Sequence, residues 1–259
     1  MRFCSLGSGS GGNATLVEAS QGITSTRLLV DAGFSVRELV KRLARAGCTP
    51  ADVDAIFITH EHGDHIGCAL GFATRYRIPL ITSRGTWQAV GNAEFDPALL
   101  HIVKSGQAMA LGDMELQPFS VPHDANEPLQ LRLDDGALRL GIVTDLGCAP
   151  AGVAAALAGC RALLLECNHD ESMLRAGPYH PALKKRILGS HGHLSNAAAA
   201  DLLARCMHAQ LGFIAAAHLS EHNNTPNLAC AALAEVVGAS GSDIHVAHPK
   251  HGLDWLTLN

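Results

Sequence analysis

Aromatic residues are scarce, at 4% of the chain, so a core has to be assembled mainly from Ala, Leu, Val and Ile. The eight cysteines (Cys4, Cys48, Cys68, Cys148, Cys160, Cys167, Cys206 and Cys230) include no Cys-x-x-Cys pair. Their dispersion argues against a zinc finger or a disulfide framework and leaves buried free thiols in a reducing compartment. No apolar run is long enough to span a bilayer. The first nine residues lack the apolar stretch of a signal peptide. The expectation is a soluble, cytoplasmic protein with no membrane partner. The formal net charge of -5 argues against a nonspecific polycation, but not against a local basic groove or a metal-centred phosphate site. With 47% hydrophobic residues and no evident linker, residues 1–259 read as a single domain.

Against this sparse background, residues 59–65 stand out: Thr59-His60-Glu61-His62-Gly63-Asp64-His65. Three histidines and an aspartate follow the pattern His-x-His-x-Asp-His. The run before them, residues 53–58, is short, apolar and β-branched, and reads as a buried strand. The cluster therefore sits where a strand gives way to a loop, the usual position for a site in an α/β sheet. Imidazole and carboxylate suit borderline divalent ions such as zinc, manganese and iron. His60 and His62 are two apart, so an extended backbone sends both side chains to one side. Asp64 and His65 follow a glycine that lets the chain turn and aim them at a second position.

Other strand ends repeat the theme. A strand over residues 26–30 ends at Asp31, which is either a turn-former or an acid that orients the metal loop. A helix over residues 35–46 follows, capped by Ser35. Residues 67–76 and 84–93 read as helices, and residues 95–112 as less regular. The strand near residues 114–119 leads to His123, and a His-x-His pair needs such a third nitrogen to complete a catalytic metal site. Residues 129–145 give a hairpin turning at Asp134-Asp135-Gly136. Its return strand ends at Asp145, whose two carboxylate oxygens could bridge two cations. The buried strand 162–166 runs into Cys167-Asn168-His169-Asp170. Ser195 precedes an Ala/Leu-rich helix as a cap. The strand 211–217 ends at His218, and residues 244–247 and 255–258 read as edge strands. The Gly/Ser loop over residues 7–13 is either a flexible connection or an anion cradle with Asn13.

Together these residues resemble the metallo-β-lactamase-fold hydrolases. The resemblance rests on Leu29-Val30-Asp31-Ala32-Gly33, on His60 to His65, and on His123, Asp145 and His218 in that order. It implies an α/β fold of the αββα sandwich type, with two mixed β-sheets flanked by helices. A narrower similarity is to the YycJ/WalJ-like branch. It is carried by Ser8-Gly9-Ser10-Gly11-Gly12-Asn13, Pro122-His123-Asp124, Glu166-Cys167-Asn168-His169-Asp170, Gly192-His193-Leu194-Ser195-Asn196 and the stretch from His218 to Asn224. Cys167 stands where serine is expected in that branch, and His222 where an acidic or amide residue is expected.

The branch implies a metal-dependent phosphodiesterase with DNA as substrate, acting as a 5′ to 3′ exonuclease. By position, His60, His62 and His123 would hold one divalent ion, zinc or manganese. Asp64, His65 and His218 would hold a second, and Asp145 would bridge the two. The ions would activate a bridging water for attack on phosphorus. Asp64 would also orient the nucleophile, and His193 would protonate the leaving oxygen or steady the phosphate. Asn13, Asn168, His169 and Asn196 are candidate substrate contacts. The alternative is a small-molecule phosphodiesterase or another ester hydrolase of the same fold. Lys184-Lys185-Arg186 is either the start of a basic path to the site or an ordinary solvated helix face.

Overall fold

Short β-branched and leucine-rich runs, punctuated by glycine and proline, make strands that fall into two sheets. The computed structural model describes residues 1–91, 94–238 and 244–259. Among these residues, β1 (Arg2–Gly7), β2 (Ala14–Ser20), β3 (Ser25–Val30), β4 (Ala55–Phe57), β5 (Leu80–Ser83) and β6 (Leu100–Val103) lie side by side in chain order. β7 (Met109–Leu111), β8 (Met114–Ser120), β9 (Leu129–Asp134), β10 (Arg139–Val143), β11 (Ala162–Glu166), β12 (Phe213–Ala217) and β13 (Ile244–Val246) form the second sheet, again in chain order. The last strand, β14 (Leu253–Thr257), returns to the first sheet and pairs with β1.

Each sheet begins as an antiparallel meander and becomes parallel. β1, β2 and β3 pair antiparallel, whereas β3 to β6 are parallel. β7 to β10 are antiparallel, whereas β10 to β13 are parallel. Parallel strands need covered faces and crossover helices. α1 (Val36–Arg45), the single turn α2 (Gly63–Ile66), α3 (Ala69–Tyr76) and α4 (Arg84–Val90) follow strands of the first sheet. α5 (Ala151–Ala156), α6 (Glu171–Ala176), α7 (Pro181–Ile187), α8 (Asn196–Cys206) and α9 (Pro226–Val237) belong to the second half.

The apolar residues form three layers. Phe3, Leu28, Phe57, Leu116, Leu131 and Leu164 meet between the sheets. Leu39, Leu43 and Phe72 seal helices onto the first sheet. Val153, Leu202 and Leu233 do the same on the second. The result is the αββα sandwich of two mixed sheets that the resemblance implied.

The edge strands near residues 244–247 and 255–258 are β13 and β14, each outermost in its sheet. Four expectations shift in detail. β4 is shorter than residues 53–58, because the Thr59 amide turns to the Asp31 carboxylate (2.9 Å) instead of continuing the ladder. The helix expected over 67–76 is α3, which starts at Ala69, and the separate turn α2 precedes it. Gly67 has φ +31°, which breaks α3 from α2, so Asp64 and His65 ride on a helical turn. The helix expected over 84–93 ends at Val90, with Gly91 left-handed, and residues 92 and 93 lie outside the described residues. The stretch expected to be irregular supplies the short strands β6 and β7.

Candidate metal centre

One rim of the sandwich gathers the polar residues that end its strands. Asp31 follows β3, His60 lies three residues beyond β4, and His123 three beyond β8. Asp145 follows β10 by two, Glu166 closes β11, and His218 follows β12 directly. Asp31, Asp145 and His218 all adopt left-handed backbone, at φ 62°, 55° and 54°. Such a conformation is tolerated by Asp and His better than by bulky residues. It is kept where the surrounding structure over-determines it. Here it turns each side chain off its strand and into a common centre.

His60 Nε2 lies 3.1 Å from His62 Nδ1, and His123 Nε2 lies 3.2 Å from the same atom. Hydrogen bonding on the far side of each ring decides which nitrogen is bare. His123 Nδ1 donates to the Gly192 carbonyl at 3.0 Å. Thr59 gives its hydroxyl proton to Asp31 and so accepts from His60 Nδ1 at 3.0 Å. Both rings therefore aim an unprotonated Nε2 at His62. A tetrahedral ion with metal–nitrogen bonds of ~2.0–2.1 Å needs its ligand nitrogens roughly 3.3–3.4 Å apart. Burial above all, with neighbouring imidazoles, holds the His60 and His123 pKa values below the usual range. The neutral ring is the form that binds a metal.

The second cluster is acidic. His65 Nδ1 donates to Asp31 Oδ2 at 2.7 Å, which leaves Nε2 facing Asp145 Oδ2 at 2.6 Å and Asp64 Oδ2 at 3.6 Å. His218 Nδ1 lies 3.1 Å from Glu166 Oε1, and its Nε2 faces Asp64 Oδ2 at 3.3 Å. Despite the short separation from His65, buried Asp145 Oδ2 takes no hydrogen bond of acceptable geometry. The cluster demands positive charge. Burial opposes protonation of His218, yet Asp145, Asp64 and Glu166 outweigh it and hold the ring up to about 9. His65 is raised likewise against burial by Asp145 and Asp31. Burial alone would raise Glu166, but His193 and His218 bring it down to about 2. A divalent cation would meet the same demand and displace those protons.

The residues therefore fit a metal centre. Ligand atoms of His60, His62 and His123 form one compact group, those of Asp64, His65 and His218 another, and those of His60, His65 and Asp145 a third that links them. No cysteine is among them. His193 lines the adjoining cavity, with Nδ1 2.8 Å from Glu166 Oε1 and 3.1 Å from Asp145 Oδ1. Burial opposes its charge, but the two carboxylates hold it up to about 11. A bound cation nearby would pull that value down.

The cavity has a volume of about 430 Å³ and is open to solvent. Of the four expected substrate contacts, only Asn168 lines it. The other three are placed elsewhere. Asn13 is 5% exposed, accepts from Ser8 Oγ and Gly9 N, and turns its amide nitrogen to His65 Nε2 at 3.1 Å. Asn196 and Asn224 exchange reciprocal amide hydrogen bonds of 2.9 Å in the interior. His169 is buried with neither ring nitrogen bonded. A polar motif at a strand end gives no warning of which side chains face inward.

Two residues with no role assigned from sequence join the site. Glu166 is fully buried and also accepts from the Leu146 and Leu194 amides at 3.0 and 3.1 Å. Its signal was a carboxylate closing an apolar strand, as at Asp145. Asp124 Oδ1 lies 3.5 Å from His123 Nε2, and its Oδ2 lies 2.5 Å from Arg186 Nε. The Lys184-Lys185-Arg186 run lies on α7, where Lys184 Nζ donates to the Arg175 carbonyl at 2.7 Å. No helix among the described residues is long and apolar enough to cross a membrane.

Residues 26–214 match the beta-lactamase superfamily domain. The chain is 36% identical over 232 residues to the exodeoxyribonuclease WalJ of Streptococcus pneumoniae, covering 88% of this chain and 85% of the relative. It is 34% identical over 258 residues to the exodeoxyribonuclease YycJ of Bacillus anthracis, covering 98% and 96%. The fold matches the metallo-β-lactamase fold protein YhfI of Bacillus subtilis with a TM-score of 0.75, at 15% identity and 98% coverage of each chain. The chain belongs to the beta-lactamase superfamily domain family and is a metallo-hydrolase of that fold.

Proposed function

We propose that this hydrolase cleaves phosphodiester bonds as an exodeoxyribonuclease that works on DNA from the 5′ end. The observation that carries the reading is a cysteine-free pair of ligand groups linked by Asp145. It stands in a chain whose similarity to two named exodeoxyribonucleases extends over 88% and 98% of its length. Residues 1–259 act as one domain. The eight cysteines are all free, which suits a reducing cytoplasm.

His60, His62 and His123 would hold one divalent ion, zinc or manganese. Asp64, His65 and His218 would hold the other, with Asp145 shared. Bound there, the ions would supply an acidified water and positive charge for the phosphate oxygens. The protein's own groups do the rest. Asp31, Thr59, Gly192 O and Glu166 hold the ligating rings in the tautomers that leave the inward nitrogens bare. Asp64, with a side chain 25% exposed, would orient the attacking water. His193 is pinned through Nδ1, which leaves Nε2 to protonate the leaving oxygen. Asn168 lines the cavity, where its amide can meet substrate.

A second reading, a small-molecule phosphodiesterase or other ester hydrolase, draws on Arg186. This cation lines the cavity but is already paired with Asp124. The test strips the protein of metal and restores manganese or zinc. Duplex DNA labelled at the 5′ or 3′ end is then assayed beside bis(p-nitrophenyl) phosphate. Metal-dependent shortening from the 5′ end is expected. Turnover of the chromogenic ester with DNA untouched would transfer the assignment to the small-ester reading.

A further inference from the structure

The cavity has a polar part, made by the clustered His and Asp side chains, and an apolar part made by Tyr179, Leu183 and Ile187. The apolar part needs a reason. Leu183 is 39% exposed, one of four large hydrophobics so exposed among the described residues. Aromatics are scarce here, and others are used structurally: Tyr76 packs on Phe72 at 4.8 Å, and Trp87 on Phe95 at 5.4 Å. Tyr179 instead lines the cleft, half-buried, with the exposed ring of His222 against it at 6.0 Å and an interplanar angle of 76°. His222 is one of the two positions, with Cys167, where this chain departs from the YycJ/WalJ-like pattern.

We propose that Tyr179, backed by His222, is a stacking platform for a nucleobase next to the scissile phosphate. The inference rests on the nuclease reading and adds what the site recognises beyond phosphate. A flat aromatic face accepts any base, so the contact favours nucleotide ends without reading their sequence. The platform is braced at both ends. A Cβ on Gly177 would stand 2.7 Å from Asn223 Oδ1, so the segment leading to Tyr179 packs directly on the loop that carries His222. At the far end of α7, Arg186 ties the wall to Asp124 beside the ligand histidines. A rigid wall loses little freedom when a base stacks on it.

The test compares duplexes whose attacked end is intact with duplexes carrying an abasic residue on either side of the terminal linkage. With wild-type protein, removing the base is expected to raise KM about tenfold. Tyr179→Ala raises KM similarly on intact ends, and the two losses do not add. Tyr179→Phe keeps the wild-type dependence, because the ring matters and not the hydroxyl. Equal wild-type KM on intact and abasic ends would overturn the platform without any variant, even if Tyr179→Ala folds poorly. Additive losses would overturn it too, by making Tyr179 a structural residue. In both cases the DNA is still degraded, so the nuclease reading survives. Intact DNA with turnover of bis(p-nitrophenyl) phosphate rejects the nuclease reading and the platform together.

Discussion

Each ligating imidazole has two nitrogens, and the one that reaches inward is set by what holds the other. His65 and His218 are anchored by Asp31 and Glu166, His60 by Thr59, and His123 by a backbone carbonyl. Asp145 has no such anchor for Oδ2, which is buried without a hydrogen bond. Asp145→Asn keeps the left-handed turn and the shape while halving the acceptor capacity. It is expected to lower hydrolysis by roughly 10³-fold, since several kcal/mol of charge stabilisation is lost. Circular dichroism should be unchanged and bound metal reduced. His193→Ala is expected to lower kcat by about 10²-fold while metal content stays near wild type, as removal of a proton donor should. Parallel loss of metal and kcat would make His193 a ligand.

At the scale of elements, the site depends on how closely the loop after β3 approaches α2. A Cβ on Gly33 would stand 1.7 Å from the Asp64 carbonyl oxygen, and the Asn13 amide donates to that same oxygen at 2.8 Å. Gly33→Ala must push Asp64 away. The expected cost is about 1–3 kcal/mol of stability, with weaker metal binding measured by competition with a chelator. Strand register matters elsewhere. Glu18 on β2 stands opposite Arg2 on β1 and Arg27 on β3, and bonds both at 2.7 and 2.6 Å. The Arg2 hydrogen bond, against partial burial, holds the Glu18 carboxyl below the usual range. A carboxyl depressed in the folded state stabilises above its unfolded pKa and loses that contribution as pH falls through the folded value. Denaturant titrations should therefore show wild type losing about 1 kcal/mol more than Glu18→Gln between roughly pH 5 and pH 3.

For the whole molecule, the two halves repeat one plan, an antiparallel meander feeding three further parallel strands. The ligand groups draw on both sheets. His60, His62, Asp64 and His65 come from the first, and His123, Asp145 and His218 from the second. Ions bound there would tie the halves together as well as serve chemistry. Metal at about 100 times its dissociation constant should add about 2.7 kcal/mol. Its removal by chelation is then expected to lower Tm by roughly 5–10 °C in calorimetry. An unchanged Tm on complete metal loss would separate metal binding from fold stability.

The αββα fold was implied by a resemblance, whereas the strand ends and the ligand motif were legible in the sequence itself. Each is written locally: an apolar run that stops, a histidine spacing of two, an aspartate before a glycine. The buried strand 162–166 was legible, but the role of Glu166 was not, since its partners His193 and His218 lie 27 and 52 residues away. Asn13, His169 and Asn196 carry polar chemistry in sequence, yet packing turns them from the cavity. Tyr179 and His222 are 43 positions apart by number and meet only because the segments that carry them pack together. Local propensity and periodicity determined the elements and the ligand types. Tertiary structure decided which nitrogen of each ring faces inward, which carboxylates stand behind them, and what lines the cleft, because those contacts join residues that no local pattern relates.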